Sequence, residues 1–220
     1  MKETDIKHST HLKNEVMHLH SQYGFLTRMY ARLRMILSPI VAIERYVPVK
    51  GNILDLGCGS GIFANILSIG SLERKVFGVD YSSDRIETAK KISRGNPNLE
   101  FVAGDVNTTP FERFEVVTLI DLLHHMPFEE QDTLLKKIYD KLNNGDALII
   151  KDLEKAPYWK YIFHYIQDSI SYRERLYFRS AEEMEKVLKR IGFQVDRVSL
   201  ASGYPHPHVL YRCKKKSDVI

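Results

Sequence analysis

A short apolar run followed by a glycine-rich turn is the feature that most constrains the fold of this chain. Residues 52–63 read Asn-Ile-Leu-Asp-Leu-Gly-Cys-Gly-Ser-Gly-Ile-Phe, with three glycines at alternate positions. Glycine permits backbone angles closed to other residues, and it lets a ligand approach the main chain without meeting a β-carbon. The stretch therefore predicts a strand, a turn and a helix that together bind a nucleotide-containing cofactor.

The spacing of the glycines bears on which cofactor that is. The dinucleotide fingerprint requires G-x-G-x-x-G, and counting from Gly57 and Gly59 its third position is Ile62. The spacing found is G-x-G-x-G, with Asp55 two residues before the first glycine. This arrangement resembles motif I of the class I S-adenosylmethionine-dependent methyltransferases. The loop alone leaves both cofactor types open.

Three later segments extend the resemblance. Residues 75–80 form an apolar run ending in Asp80, a carboxylate that can accept hydrogen bonds from both ribose hydroxyls of either cofactor. Residues 99–106 end in Gly-Asp-Val, which resembles the methyltransferase motif whose aspartate binds the adenine amino group. Residues 114–127 run into Asp-Leu-Leu-His-His-Met-Pro, which is similar to motif IV of small-molecule methyltransferases, including those of quinone biosynthesis. The resemblance covers residues 45–152 closely.

The resemblance assigns a part of S-adenosylmethionine to each motif. The cofactor's methionine end would lie on the glycine loop, its ribose on the second strand, and its adenine after the third. Asp55 would act through the loop or toward the methionine amino group, Tyr81 would pack on the adenine, and Asp121 would also bind the cofactor. The predicted cofactor-binding residues are Asp55, Gly57, Cys58, Gly59, Gly61, Asp80, Tyr81, Asp105, Val106 and Asp121.

Two adjacent histidines are the candidates for a general base. His124 and His125 follow the fourth predicted strand, and histidine titrates near neutral pH. We predict His125 as the catalytic residue. The alternative is that a histidine here orders the segment and contacts the cofactor environment without proton chemistry. In the amino-terminal region His8 and His11 lack further ligands at convincing spacing, so no metal site is predicted.

Composition is that of one intracellular domain. At 220 residues and 44% hydrophobic content the chain can bury a full core, and a formal charge of +4 is too small an excess to predict nucleic-acid binding. Two cysteines suit a reducing compartment. No apolar run approaches the roughly 18 residues of a spanning helix, and no signal-peptide core follows Met1. We expect a cytoplasmic protein, and the sequence leaves its oligomeric state open.

Strand and helix patterns alternate along the chain, which predicts parallel strands joined by right-handed crossovers. No helix is predicted between residues 193–200 and 208–214, so these strands should form an antiparallel hairpin. The predicted fold class is α/β, a three-layer Rossmann-like seven-stranded methyltransferase sheet, mostly parallel, with amino-terminal helices and an inserted helical cap. We divide the single domain into a helical lid, a cofactor-binding core, an aromatic helical insertion, and a final helix and hairpin, at 1–47, 48–152, 153–179 and 180–220.

The insertion is dense in aromatic residues, and in methyltransferases of this type insertions here line the acceptor pocket. The resemblance thus implies a small, aromatic or lipophilic acceptor. Other interpretations of the insertion remain open. Its aromatics could pack a helix on the sheet. Since Lys155, Lys160, Arg173 and Arg175 accompany them, a basic amphipathic face could instead rest on a membrane surface or recognise an acidic substrate.

We therefore predict methyl transfer from S-adenosyl-L-methionine, with S-adenosyl-L-homocysteine as product, to a small-molecule acceptor. One alternative is an NAD-dependent oxidoreductase, which Ile62 and Asp105 disfavour. The other is a non-catalytic protein that keeps the fold and binds cofactor to stabilise a complex.

Overall fold

The computed structural model describes residues 3–106, 108–109, 113–154, 176–200 and 202–215. These residues form two compact units, residues 1–109 and 110–220. Most of the predicted aromatic insertion, residues 155–175, lies outside the described residues.

The first unit begins with helices and continues with alternating strands and helices. Its helices are α1 (Glu3–Ser21), α2 (Phe25–Leu37), α3 (Ile40–Ile43), α4 (Ile62–Gly70) and α5 (Ser83–Ile92), and a 3-10 turn spans Glu44–Tyr46. Its strands are β1 (Gly51–Leu56), β2 (Arg74–Asp80) and β3 (Leu99–Ala103). Gly24 directly precedes α2, and Pro39 directly precedes α3.

The three strands of this unit are parallel and lie in the order β3-β2-β1. Leu54 lies opposite Phe77, and Phe77 lies opposite Glu100. Parallel strands end at the same edge of a sheet, so the residues that follow β1, β2 and β3 share one edge. That edge holds the glycine turn and the predicted ribose and adenine residues.

The second unit contains the remaining strands. Its elements are β4 (Val116–Ile120), a 3-10 turn at Leu123–His125, α6 (Phe128–Lys141), β5 (Ala147–Leu153), α7 (Ala181–Ile191), β6 (Phe193–Ser199) and β7 (His208–Lys215). The strand order is β4-β5-β7-β6, with β4 parallel to β5 and with β7 antiparallel to both β5 and β6. The terminal antiparallel hairpin is therefore confirmed.

Helix ends follow the capping residues that the sequence carries. Ser82 accepts a hydrogen bond from the Arg85 amide at the start of α5, and Ser180 and Glu183 form a reciprocal capping box at the start of α7. Gly192, with φ 122°, ends α7. Both helices therefore begin where a serine side chain can accept a backbone amide.

A buried arginine joins the helical start of the first unit to its sheet. Arg74, fully buried at the beginning of β2, donates to Glu44 Oε1 at 2.6 Å and to the carbonyl oxygens of Leu67, Val47 and Pro48. The Glu44 side chain is 6% exposed. A buried charge is tolerated only when it is paired and hydrogen-bonded, and this guanidinium satisfies both conditions.

Within the described residues, none of the helices is long and apolar enough to cross a lipid bilayer.

Replacing Arg74 tests how far the first unit depends on this contact. In Arg74→Met the Glu44 carboxylate stays buried without its cation, so the free energy of unfolding should fall by about 3–5 kcal/mol. Urea denaturation followed by circular dichroism measures it. Arg85→Met, at an exposed position on α5, is the matched control and should shift stability by no more than about 0.5 kcal/mol. Equal midpoints for the two variants would contradict the role of Arg74.

Candidate active site

The glycine turn between β1 and α4 has the backbone conformation that its residues suggest. Gly57, Gly59 and Gly61 have φ values of 71°, 55° and 78°. Residues that carry a β-carbon are strained in this left-handed region. The alternation of glycines is thus required by the path of the chain, and it leaves the main chain of the turn open to a ligand.

Hydrogen bonds hold the turn to the end of β2. The amides of Gly57 and Cys58 donate to the Val79 carbonyl at 2.7 and 3.1 Å. The amide of Gly59 donates to Asp80 Oδ2 at 2.9 Å. The glycine turn and the predicted ribose-binding carboxylate therefore form one connected group.

The Asp80 carboxylate keeps acceptor capacity beyond these contacts. Its Oδ1 accepts the Ser82 amide at 3.0 Å and its Oδ2 accepts the Gly59 amide. An ionised carboxylate offers about four lone-pair sites, and these two bonds use one on each oxygen. The geometry of Asp80 is compatible with accepting two further hydroxyl groups.

A phenylalanine ring explains two of the glycines on steric grounds. A β-carbon on Gly61 would lie 2.8 Å from Phe101 Cζ, and one on Gly78 would lie 2.6 Å from Phe101 Cδ1 and 2.8 Å from Cys58 Sγ. The third glycine of a dinucleotide fingerprint permits close helix-strand packing. Here Gly61 permits the approach, one position before Ile62.

The thiol of Cys58 lies within the same group. Burial raises its pKa above the ordinary value, and the charges of Asp55 and Asp80 raise that pKa further. Asp55 is 1% exposed at the end of β1. The turn therefore lies beside two carboxylates, an environment that favours a cationic ligand and disfavours a thiolate.

The residues predicted to bind adenine follow β2 and β3. Tyr81 is 76% exposed, Asp105 is exposed and Val106 is half-buried. The Asp105 carbonyl accepts the Thr108 amide at 3.0 Å and the Thr109 hydroxyl at 3.0 Å. Asp105 thus begins a tight turn two residues beyond β3, with its side chain at the surface.

In the second unit, Asp121 follows β4 in an unusual conformation. Its φ is 55°, and it is the one non-glycine residue with positive φ in the described part of the chain. The Asp121 amide donates to the Lys151 carbonyl at 2.8 Å, and the Lys151 ammonium pairs with the Asp121 carboxylate. Lys151 is 1% exposed in β5. The conformation of Asp121 is thus stabilised by a buried ion pair.

The two candidate histidines have different surroundings. His124 is 3% exposed, its Nδ1 lies 2.5 Å from Asp152 Oδ1, and its ring stacks on Phe178 at 5.1 Å between centroids. His125 is half-buried, and its ring centroid lies 4.2 Å from that of His124. The buried histidine is paired with a carboxylate, and its predicted catalytic neighbour is the more accessible of the two.

A glutamine holds the turn that carries both histidines. The side-chain nitrogen of Gln131 lies 3.0, 2.9 and 3.0 Å from the carbonyl oxygens of Leu123, Met126 and Tyr177. Arg179 in turn donates to Gln131 Oε1 at 3.1 Å. The Gln131 side chain therefore contacts a carbonyl oxygen at each end of the Leu123–His125 turn and stabilises the turn.

Sequence reasoning missed several of these residues. Lys151 and Asp152 stand in a strand that is buried throughout, and a charged pair in such a run signals partners at the strand's end. Gly78 and Phe101 could not be paired from the sequence, because their contact depends on the register of β2 and β3. Gln131 has the ordinary appearance of a helix surface residue.

Comparison with known proteins places the glycine turn and both histidines in one family match. Residues 53–145 match a family model described as methyltransferase domain. The chain is 25% identical over 182 residues to carboxy-S-adenosyl-L-methionine synthase of Mannheimia succiniciproducens, covering 77% of this chain and 76% of that protein. It is 28% identical over 108 residues to the mitochondrial ubiquinone biosynthesis O-methyltransferase of Candida albicans, covering 47% of this chain and 32% of that one.

Among solved structures, the fold is similar to that of the S-adenosylmethionine-dependent methyltransferase SibL in its apo form. The TM-score is 0.71 at 18% identity, covering 88% of this chain, which spans 58% of the SibL chain. The predicted Rossmann-like methyltransferase fold is confirmed, and residues 53–145 match the methyltransferase domain. The predicted helical cap falls mostly on residues 155–175, outside the described residues. These findings favour the methyltransferase interpretation over the nicotinamide-dependent one.

The thiol environment makes a direct prediction. Burial raises the pKa of Cys58 and of Cys213, so neither is a thiolate near pH 8 in the folded protein. Native protein should react with a disulfide reagent at pH 8 at least about tenfold more slowly than protein unfolded in urea, because the thiolate is the nucleophile. Peptide mass spectrometry assigns the modified site. Rapid labelling of Cys58 in native protein would contradict this description of the turn.

Proposed function

We propose that this chain, a class I S-adenosylmethionine-dependent methyltransferase, transfers the methyl group to a small, aromatic or lipophilic acceptor. The observation that carries the cofactor part of the proposal is the glycine turn, whose amides donate to Val79 and Asp80 at the end of β2. The acceptor class rests on the aromatic residues in the sequence of the insertion. Such a turn presents main chain to a ligand at the same place where a carboxylate can accept ribose hydroxyls.

The cofactor roles predicted from the motifs are retained as part of the proposal. Gly57, Cys58, Gly59 and Gly61 hold the methionine end, and Asp80 accepts the ribose hydroxyls. The exposed ring of Tyr81 packs on the adenine, whose amino group bonds Asp105 beside Val106. The unused acceptor capacity of Asp80 and the exposure of Tyr81 support these roles.

The charge around the turn suits a sulfonium. The bound cofactor supplies a methyl group already activated by the positive charge on sulfur. Asp55, buried at the end of β1, is placed to complement that charge or the methionine amino group. What the protein adds is alignment of the acceptor, exclusion of water and a destination for the acceptor's proton.

We propose that His125 accepts the proton that the methyl acceptor loses. Asp121 is retained as a cofactor-binding residue. His124 is bound to Asp152 and stacked on Phe178, and it acts as a positioning residue for the neighbouring ring. The 4.2 Å separation of the two histidine rings supports this division, since a fixed His124 limits where His125 can move.

A cytoplasmic location also remains a prediction.

A second candidate reaction comes from the relatives that align over most of their length. The Mannheimia succiniciproducens protein is named as a synthase of carboxy-S-adenosyl-L-methionine, and three quarters of each chain aligns. In this alternative the cofactor itself is the molecule modified, a second substrate donates the carboxyl group, and no separate methyl acceptor exists. Product analysis distinguishes the two: S-adenosylhomocysteine accumulates in the first case and a carboxylated cofactor in the second.

Calorimetric titration of cofactor-stripped protein tests the cofactor site. S-adenosylhomocysteine should bind, and Asp80→Ala should weaken its affinity by about 30-fold, since the variant loses the acceptor for two ribose hydroxyls and for the Gly59 amide of the turn. Glu100→Ala, an exposed carboxylate on β3, is the control and should leave affinity unchanged.

NAD serves as the parallel ligand in that titration. Binding of NAD alone would overturn the methyltransferase proposal. Binding of S-adenosylhomocysteine without turnover on any acceptor, together with stable co-purification of another chain, would instead favour a non-catalytic partner protein.

The assignment of the base is tested by turnover with labelled methyl donor on a panel of phenols and quinols. His125→Ala should lower kcat by about 100-fold while the affinity for S-adenosylhomocysteine stays unchanged, because only proton transfer is removed. His11→Ala, an exposed histidine of α1, is the control. If His125→Ala acts only by weakening cofactor binding, its assignment as base is wrong.

A further inference from the structure

The outer face of α2 carries an apolar surface unlike the rest of the first unit. Six large side chains on this helix of 13 residues are exposed: Phe25 63%, Leu26 81%, Met29 38%, Tyr30 47%, Leu33 47% and Ile36 62%. At 3.6 residues per turn these positions fall within an arc of about 140°. On the opposite side only Ala31 and Met35 are buried. The helix therefore turns its apolar side outward.

Basic residues border this apolar face. Arg32 lies beside one margin of the arc and Arg34 beside the other, with Arg28 one turn before Arg32. The sequence of α2 contains three arginines and no acidic residue. An apolar arc flanked by cations is the pattern of helices that lie in the plane of a membrane interface, where arginine stems cover apolar surface and their charged ends reach the headgroups.

A groove beside the arc adds a place for a headgroup. A cavity of about 300 Å³ opens between α1 and α2, lined by Asn14, Met17, His18, Ser21, Arg28 and Arg32. Two guanidinium groups one helical turn apart, with amide, hydroxyl and imidazole groups around them, match the hydrogen-bonding needs of a phosphate. The groove and the apolar face share Arg28 and Arg32, so they form one continuous surface.

We propose that α2 docks this protein onto an anionic phospholipid membrane, with its apolar arc in the interface and a lipid phosphate in the α1-α2 groove. The proposal places membrane contact on α2 instead of the aromatic segment for which the sequence suggested it. It does not depend on the proposed enzymatic activity.

Charge argues against two other occupants of this face. A second copy of the chain would bring three arginines on one α2 against three on the other, without a carboxylate on either helix to offset them. Residues 155–175 of the same chain contain four basic and two acidic residues, so they too would add positive charge to positive charge. An anionic lipid surface removes this repulsion, and the formal charge of +4 on the whole chain acts in the same direction.

Vesicle flotation of the full chain tests the proposal. The two preparations are phosphatidylcholine alone and phosphatidylcholine with about one third phosphatidylglycerol. We expect at least about tenfold stronger partition into the anionic vesicles, weakening as salt is raised. Each of Arg28→Gln and Arg32→Gln should lower partition by about fivefold. Arg94→Gln, an exposed arginine beyond α5, is the charge control and should have no effect.

A second pair of variants tests the apolar arc. Leu26→Asn combined with Leu33→Asn should lower partition by about tenfold, because two side chains no longer gain from leaving water. Leu72→Asn is the matched control, since Leu72 is as exposed as Leu26 and lies outside the helical start of the chain. Thermal unfolding of the double variant should match that of the unsubstituted protein, as expected for exposed positions.

Several results would overturn the proposal. Equal partition into neutral and anionic vesicles would show that the protein adsorbs to lipid without using the α2 surface. An equal loss of partition in the control variants would show the same. A concentration-dependent dimer in analytical ultracentrifugation that the double leucine variant abolishes would show that a second copy occupies the face. A lowered unfolding temperature in that variant, with no vesicle binding by the unsubstituted protein, would show that the chain covers the face itself.

Discussion

The hydrogen bonds between the glycine turn and the end of β2 are the contact on which the candidate cofactor site of the first unit depends. Two successive amides reach the Val79 carbonyl and a third reaches the Asp80 carboxylate. This path is open only to a chain with left-handed residues at alternate positions, and glycine alone takes that conformation without strain. At Gly61 the Phe101 ring fills the space that the absent β-carbon leaves. Turn geometry and ligand access are thus satisfied by the three glycines together, and one of them also permits the packing of Phe101.

The second unit meets a different constraint, which is the burial of charge. Lys151 and Asp152 lie near the end of a strand that has no exposed residues, and each is tolerated because a partner lies at hydrogen-bonding distance. Lys151 pairs with Asp121, and Asp152 binds both the ring and the amide of His124. These bonds also hold the backbone conformation of Asp121 and of the histidine turn. The contacts that pair the buried charges are therefore the same contacts that position the candidate base.

Much of the fold and part of the candidate site could be predicted from local signals. The glycine turn and the terminal hairpin were each predicted, because each depends on residues that are close together in the sequence. The contrast between His124 and His125 could not be predicted, since two identical neighbouring side chains differ only in what the distant Asp152 and Phe178 place beside them. The Phe101 contact with Gly61 and Gly78 likewise requires the strand register.

Helix α2 shows a further limit of sequence patterns. Its apolar residues recur at helical spacing, which predicts a helix but leaves undetermined which side of it the protein buries. In α1 the periodic residues Leu12 and Val16 are buried, whereas in α2 Leu26 and Leu33 of the same pattern are exposed. A wide apolar face exposed to water is unfavourable in free energy, and such a face marks a site that binds another surface. The arginines at its borders, and the lack of any acidic residue on the helix, restrict that other surface to an anionic one. An enzyme whose acceptor is lipophilic gains from such a surface, because docking brings it to the phase in which the acceptor is concentrated.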